Sequence, residues 1–208
     1  VCVSGAGEKV FCSGADLGGA IGGDNGGENP AIKNYAGLLA RLTRFPKPTV
    51  AKINGHCMAG GTGFMLACDI VIAKEGTKFG TPEVNVGLFP MMIGALIFRN
   101  VPRKKAMEMI LLGEKLTADQ AMEMGMVTRV VSQDRFEPEV EDVLKKIVSK
   151  SPIGLKLGKE AFNEIESMDL GTSLDFLSGK LMEVAGTEDA MEGITAFLEK
   201  RAPAFKGR

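Results

Sequence analysis

Two glycine-bracketed turns carry the residues best suited to chemistry. Phe11-Cys12-Ser13-Gly14-Ala15-Asp16-Leu17 follows a β-rich stretch, and Asn54-Gly55-His56-Cys57-Met58-Ala59-Gly60-Gly61-Thr62-Gly63 follows another. Each reads as a strand end turning sharply through small residues, so each can present a free backbone N–H. The Gly60 turn opens a helix, whose first amides lack intrahelical partners and whose dipole favours negative charge. Two such N–H groups converging on one oxygen form an oxyanion hole, which stabilises charge as it develops on a carbonyl oxygen. Taken singly, either turn is explained as well by close backbone packing. A carboxylate follows in Thr81-Pro82-Glu83, and that tripeptide reads two ways. Glu83 transfers a proton, or the three residues are an ordinary helix start with a cap, a proline at the first position and a dipole-favoured acid.

Other chemistries find less support. The four cysteines, Cys2, Cys12, Cys57 and Cys68, form no Cys-x-x-Cys pair, and His56 is the only histidine. Zinc needs closely spaced ligands, so no metal site is expected. Ser-His-Asp or Cys-His catalysis would have to use His56, which sits in a loop-like Asn-Gly-His-Cys setting and reads as structural or surface-exposed. A disulfide scaffold is not expected at this cysteine density; reduced thiols in the cytoplasm are. Asp69 falls in the buried-looking strand Asp-Ile-Val-Ile-Ala and reads as structural.

The elements that must position these residues follow from hydrophobic periodicity. Through the first two-thirds of the chain strands alternate with helices, the pattern of an α/β fold with right-handed crossovers. A short strand opens the chain over 1–3. A helix over 32–45 carries Tyr35, Leu38, Leu39, Leu42 and Phe45 at helical spacing and stops at Pro46 and Pro48. Buried strands are predicted over 49–53 and 69–73, a helix over 60–67 between them, and a short strand over 78–80. Beyond Pro102 helices dominate, over 103–112, 117–124 with a Thr-x-x-Gln capping box, 138–150, 152–165 and an amphipathic stretch over 174–201. A strand over 126–131 lies among them. Segment 18–27 is expected to be a mobile, glycine-rich surface loop. The 12 methionines fall mostly on helical stripes, as core filler. No internal repeat is visible.

Composition sets the bounds. A chain of 208 residues suits one large domain, or a domain with a helical appendage. Its 45% apolar and 25% charged residues supply a core and exclude disorder. A net charge of −1 leaves no basic field for nucleic acid or an anionic membrane. The apolar runs fall short of the ~20 residues a membrane helix needs, and no secretory leader is recognised.

In order along the chain stand Phe-Cys-Ser-Gly-Ala-Asp-Leu, Lys-Pro-Thr-Val-Ala-Lys-Ile-Asn-Gly, Ala-Gly-Gly, Cys-Asp-Ile-Val-Ile-Ala and Phe-Gly-Thr-Pro-Glu-Val. Gly-Met-Val-Thr-Arg-Val-Val and Thr-Ala-Phe-Leu-Glu-Lys-Arg complete the series. Together they strongly resemble the crotonase family, the enoyl-CoA hydratase/isomerase superfamily, over nearly the whole chain. The resemblance implies a crotonase-like α/β fold, a spiral of ββα units. Residues 1–132 would be the core, lacking an opening segment that family members carry, and residues 133–208 a helical region for trimerisation. It implies an acyl-CoA or enoyl-CoA thioester as substrate, with the acyl carbonyl held by the N–H groups of Ala15 and Gly60 and with Glu83 as general acid/base. Asp16, Leu17, Gly61 and Phe89 would line the substrate. Phe197 and Lys200 match positions that reach the CoA of a neighbouring subunit in the family's trimers, often paired as hexamers. The chemistry asks for no cofactor, because coenzyme A arrives as part of the substrate.

Two departures from the family bear on the reaction. Hydratases of the best-known type use two glutamates; Gly63 stands where the first would be, and Glu83 keeps the second. Asp24, Glu28 or a glutamate from an opening segment could fill the space above Gly63. Phe89-Pro90-Met91-Met92-Ile93-Gly94 replaces a smaller, glycine-rich loop, and its side chains suit either an apolar acyl pocket or ordinary core packing. Met91 stands where a related dehalogenase carries its aspartate nucleophile, which disfavours dehalogenation. Hydration divides its work naturally between two carboxylates, whereas moving a double bond needs one base, so isomerisation is the simpler expectation. The alternative is a non-catalytic, CoA-binding or structural subunit. Some family members bind RNA, but the near-neutral charge and the lack of a basic helix with interleaved aromatics argue against nucleic acid here. No membrane partner is expected either.

Overall fold

The computed structural model describes residues 1–14 and 30–208. Ala15, Asp16, Leu17, the glycine-rich segment 18–27, Asp24 and Glu28 lie outside the described residues. The chain divides into two compact units, residues 1–43 with 49–140 and residues 44–48 with 141–208.

The first unit is α/β and opens with three rounds of strand, strand, helix. β1 (Cys2–Ser4), β2 (Val10–Cys12) and α1 (Pro30–Thr43) make the first round. β3 (Val50–Ile53), β4 (His56–Met58) and α2 (Gly60–Leu66) make the second. In the third, β5 (Ile70–Lys74) and β6 (Lys78–Gly80) lead into a 3₁₀ turn (Pro82–Val86) and α3 (Met91–Asn100). α4 (Arg103–Leu112), β7 (Leu116–Thr117), α5 (Ala118–Glu123) and β8 (Arg129–Val131) follow, and α6 (Phe136–Val148) runs on into the second unit. β1, β3, β5 and β8 form one parallel sheet. β2, β4, β6 and β7 form the other, parallel except for the antiparallel pair β6–β7. Each round therefore gives one strand to each sheet. The repeat is one of architecture, which is why no repeat is visible in the residues.

β3 and β5 are apolar on both faces, as buried parallel strands must be: Val50, Ala51, Ile53, Ile72 and Ala73 are wholly buried. Met65 of α2 and Ile93 and Ile97 of α3 pack into the same core. The predicted elements are present with shifted ends, and the shifts have causes. His56-Cys57-Met58, expected as turn, is a strand because β2 and β6 flank it, pairing Val10 with His56 and Cys57 with Phe79; tertiary pairing overrides local propensity. Within segment 89–94 the helix α3 begins at Met91, directly after Pro90. α6 begins at Phe136, two residues early, because Pro138 falls in the first turn, where its missing N–H costs nothing. Leu38 is exposed rather than part of the core stripe, and α1 ends before Phe45. The methionines divide: Met65, Met109, Met124 and Met126 fill the core, while Met91, Met122, Met182 and Met191 are exposed.

The second unit is helical, with α7 (Pro152–Glu164), a 3₁₀ turn (Ile165–Ser167), α8 (Leu170–Ala185) and α9 (Glu188–Leu198). The stretch expected as one amphipathic run breaks at Gly186, and the Thr187 side chain accepts the Ala190 N–H to cap α9. Asp189, buried in the first turn of α9, accepts from the Ser151 hydroxyl at 2.7 Å and from the amides of Lys206 at 2.7 Å and Gly207 at 3.1 Å. Arg201 holds Glu192 through two nitrogens, at 2.6 and 2.9 Å. Leu170, Leu181, Met182, Ile194, Phe197 and Leu198 are exposed. Among the described residues no helix is long and apolar enough to cross a membrane.

Candidate active site

Because β2, β4 and β6 are neighbours in one sheet, the segments that leave them lie side by side. β2 runs into Ser13-Gly14, β4 into Ala59 and α2, and β6 into Thr81 and the 3₁₀ turn. A methyl group on Gly14 would stand 2.8 Å from the Ala59 Cβ and 3.3 Å from the Gly60 nitrogen. Gly14 also has φ 102°, so both space and backbone conformation demand glycine there. The residue before Ala15 therefore lies against the Gly60 amide. On Gly61 a side chain would strike the Cys12 carbonyl, which makes this glycine a close-packing residue between α2 and β2.

Ala59, the turn into α2, has φ 50° and ψ −126°, a region that residues with a side chain avoid. It is held there by its N–H, which donates to the Gly80 carbonyl at 2.9 Å. The Thr62 hydroxyl donates to the same carbonyl at 3.2 Å. Gly80 ends β6, three residues before Glu83. The turn bearing Gly60 and the segment bearing Glu83 are thus tied to one oxygen.

Glu83 is half-buried, and its Oε2 finds no hydrogen-bond partner among the described residues. Burial pushes its carboxyl above the usual range, opposed only in part by a hydrogen bond from its own backbone. The reading as a capped helix start loses ground, since Thr81 makes no capping hydrogen bond and its buried hydroxyl is itself unpartnered among the described residues. A carboxyl with one oxygen unpartnered among the described residues, and with its neutral form favoured, is suited to taking and returning a proton.

The space beside Gly63 is occupied from α1. A methyl group on Gly63 would lie 2.5 Å from the Tyr35 hydroxyl oxygen, 2.6 Å from the Ile93 Cγ2 and 3.3 Å from the Leu39 Cδ1. The Tyr35 hydroxyl donates to the Gly60 carbonyl at 2.5 Å, and its ring meets Phe64 edge-on with centroids 5.3 Å apart. Burial above all, then the neighbouring Cys12, Cys57 and Glu83, pushes the phenol up, so it stays protonated and can donate. Sequence reasoning counted Tyr35 only as an apolar position on a helical stripe. It is the single tyrosine of the chain, and a lone phenol in a leucine stripe was the available signal.

The remaining candidates separate. His56 is exposed at the start of β4, in a strand rather than a loop, and its Nδ1 accepts the Lys78 N–H at 3.1 Å, a structural role. Asp69 precedes β5 instead of lying within it and is exposed. Its Oδ2 accepts the Thr49 N–H at 2.7 Å and the Thr49 hydroxyl at 2.9 Å, so it too is structural. Phe89 and Met91 are exposed, which excludes core packing for both. Cys12 and Cys57 stand opposite each other on paired strands as free thiols, and burial pushes the Cys57 thiol up. Among the described residues no three His, Cys, Asp or Glu side chains cluster as metal ligands. Phe197 and Lys200 belong to the second unit, Phe197 82% exposed at the end of α9 and Lys200 exposed with φ 56°.

Residues 1–208, the whole chain, match the family model for enoyl-CoA hydratase/isomerase. The chain is 35% identical over 217 residues to the 2,3-dehydroadipyl-CoA hydratase of Escherichia coli K12, covering 100% of this chain and 81% of that protein. It is 34% identical over 215 residues to the short-chain-enoyl-CoA hydratase of Clostridium acetobutylicum, covering 100% and 80%. The crystal structure of human enoyl coenzyme A hydratase domain-containing protein 3 superposes with a TM-score of 0.92 at 34% identity, covering 98% of this chain and 81% of that one.

Proposed function

Since this chain belongs to the enoyl-CoA hydratase/isomerase family, and is therefore an enzyme of the hydratase/isomerase type, we propose that it moves the double bond of an enoyl-CoA thioester with Glu83 as the single acid/base. The observation that carries this reading is the half-buried Glu83 carboxyl, its Oε2 unpartnered among the described residues, on a segment tied through Gly80 to the Gly60 turn. Glu83 takes a proton from C2 of a 3-enoyl thioester. The C2–H electrons form a C1–C2 double bond and the carbonyl π pair moves onto the thioester oxygen, giving a dienolate whose C3–C4 double bond is still in place. The N–H groups of Ala15 and Gly60 hold that oxygen; each donor in a comparable oxyanion hole is worth about 3 kcal/mol. Glu83 then returns the proton to C4. As it does so the oxygen pair re-forms the carbonyl, the C1–C2 pair shifts to C2–C3 and the C3–C4 pair takes the proton, leaving the double bond at C2–C3. A carboxyl raised above its ordinary range is also the stronger base for the abstraction from C2.

Hydration is the second reading, favoured by the relatives named as hydratases. Incubation of 2-enoyl-CoA and 3-enoyl-CoA in heavy-oxygen water, with mass detection, separates the two. Migration of the 3-enoyl double bond without label supports isomerisation, and rapid label uptake by the 2-enoyl substrate without migration overturns it.

Asp16, Leu17, Gly61 and Phe89 line the acyl-CoA in this reading, and no cofactor is needed beyond the CoA of the substrate. The protein acts as a homotrimer or hexamer in which Phe197 and Lys200 reach a neighbouring subunit's CoA. The exposed Leu170, Leu181, Met182, Ile194 and Phe197 support this, because such a set of apolar side chains wants burial. Sedimentation as a trimer or its multiple is expected, and a clean monomer at micromolar concentration would contradict it. A reducing compartment such as the cytoplasm suits the free thiols.

A further inference from the structure

We propose that Tyr35 is a positioning residue of this site, fixing the Gly60 turn through its hydroxyl and filling the space that a side chain at residue 63 would need. The inference rests on the reading of the Gly60 amide as an oxyanion donor. The Gly60 N–H shares its peptide plane with the Ala59 carbonyl, which accepts the Thr62 N–H at 2.9 Å, and Gly60 itself has no side chain to limit rotation between that plane and the next. The Tyr35 hydroxyl holds the far side of this joint, donating to the Gly60 carbonyl at 2.5 Å. The hydroxyl has little freedom to drift. Its ring lies edge-on to Phe64 of the same helix turn, and α1 is anchored in the core by Leu39. A donor aimed in advance stabilises developing charge without reorganising, and a small error in aim is costly.

The same hydroxyl decides which side chains residue 63 tolerates. At 2.5 Å from a Gly63 methyl, with the Ile93 Cγ2 at 2.6 Å, it leaves no room for even one carbon. Neither atom is the far end of a flexible chain: one is held by an aromatic ring and the other branches directly from Cβ. Tyr35 and Gly63 are therefore a matched pair. While the phenol stands there, residue 63 cannot contribute a second carboxylate, and the site keeps its one-base chemistry.

Two measurements test the proposal on the 208-residue chain. Turnover of 3-enoyl-CoA by the parent protein is measured first; its absence defeats the function reading and the positioning role with it. With the parent active, Tyr35→Phe, which keeps the ring and removes the hydroxyl, should lower kcat roughly ten-fold while KM stays within about three-fold. An unchanged kcat, or a loss confined to KM, overturns the positioning role while leaving the function reading standing. The second measurement needs no activity. Gly63→Ala should lower the thermal midpoint by several degrees in the parent, on the order of the cost of overpacking a filled core. In the Tyr35→Phe background the loss should be clearly smaller, because one of the two clashing atoms is gone. Additive losses would show that the two residues do not share the space, and would overturn that half of the proposal.

Discussion

Glu83 and Asp189 are both acids that folding takes out of water, one in each unit, and their surroundings push them in opposite directions. At Glu83 burial is the larger influence, and the carboxyl rises. At Asp189 burial also pushes upward, but the Lys206 amide, the Ser151 hydroxyl and the Gly207 amide outweigh it, and the carboxyl falls. Burial alone therefore says little about what a carboxyl does. A buried acid surrounded by donors is committed to its charge and ties chain segments together; Asp189 joins the tail residues 206–208 to α7 and α9 in this way. A half-buried acid such as Glu83, whose Oε2 has no partner among the described residues, is held less firmly to its charge, which proton transfer requires.

The largest effect that could break this comparison is kinetic. Glu83→Gln keeps shape and loses the proton, so kcat should fall by roughly a thousand-fold while KM moves only a few-fold. Normal turnover in that variant would return Glu83 to a structural role. Asp189→Asn should behave oppositely, costing stability instead of chemistry. At neutral pH its thermal midpoint should drop by about 5 °C or more, because charge-assisted hydrogen bonds are lost. The pH dependence carries the sign. With a lowered folded-state pKa, the stability from Asp189 is present above the ordinary aspartate range and disappears as pH falls through the folded value. The gap between parent and Asp189→Asn should therefore close in acid, and a gap that widens there would refute the assignment.

Glu83 predicts the reverse slope. Its raised pKa gives a contribution that is full below the ordinary glutamate range and is lost as pH rises through the folded value. Glu83→Gln should thus equal or slightly exceed the parent's thermal midpoint at neutral pH, by about 2 °C, and lose that margin near pH 4. A destabilised Glu83→Gln at neutral pH would mean that the carboxylate has a partner after all. The smallest effect belongs to Thr81→Val. The Thr81 hydroxyl is buried and unpartnered among the described residues, and an apolar group of the same shape replaces such a hydroxyl at little cost. A shift beyond about 2 °C in either direction would point to a hydrogen bond at Thr81 that matters to the site.

What the sequence disclosed follows the same division between local and tertiary causes. β3 and β5 were legible because continuous apolar runs bounded by turn residues have few other uses, and the capping box at Thr117 and Gln120 is present as read. The turn glycines were legible as close approaches, and Gly14 and Gly61 are that. β4 was not legible, since three residues between two glycine-rich turns become a strand only through flanking partners. The break at Gly186 was hidden because the apolar stripe continues across it. Glu83 could be found by type and setting, but whether it had a partner depends on what the fold brings near. Tyr35 was hidden for the same reason: a helical stripe reveals which face turns inward, not which carbonyl a hydroxyl will meet 25 residues away.

The alternation of strands between two sheets also governs how the chain can fold. Every strand pair joins residues distant in sequence, from Val50 with Ile70 to Ile72 with Arg129. Among the described residues no tight hairpin is available to seed either sheet, so each pairing must first close a long loop, and such closure is slow even where the final state is stable. Among the described residues the neighbour of β1 is β3 and that of β2 is β4, and both follow α1 in the chain. During synthesis those partners therefore emerge only after α1, and until then the edges that β1 and β2 will present to β3 and β4 stay uncovered, at the stage when aggregation is easiest.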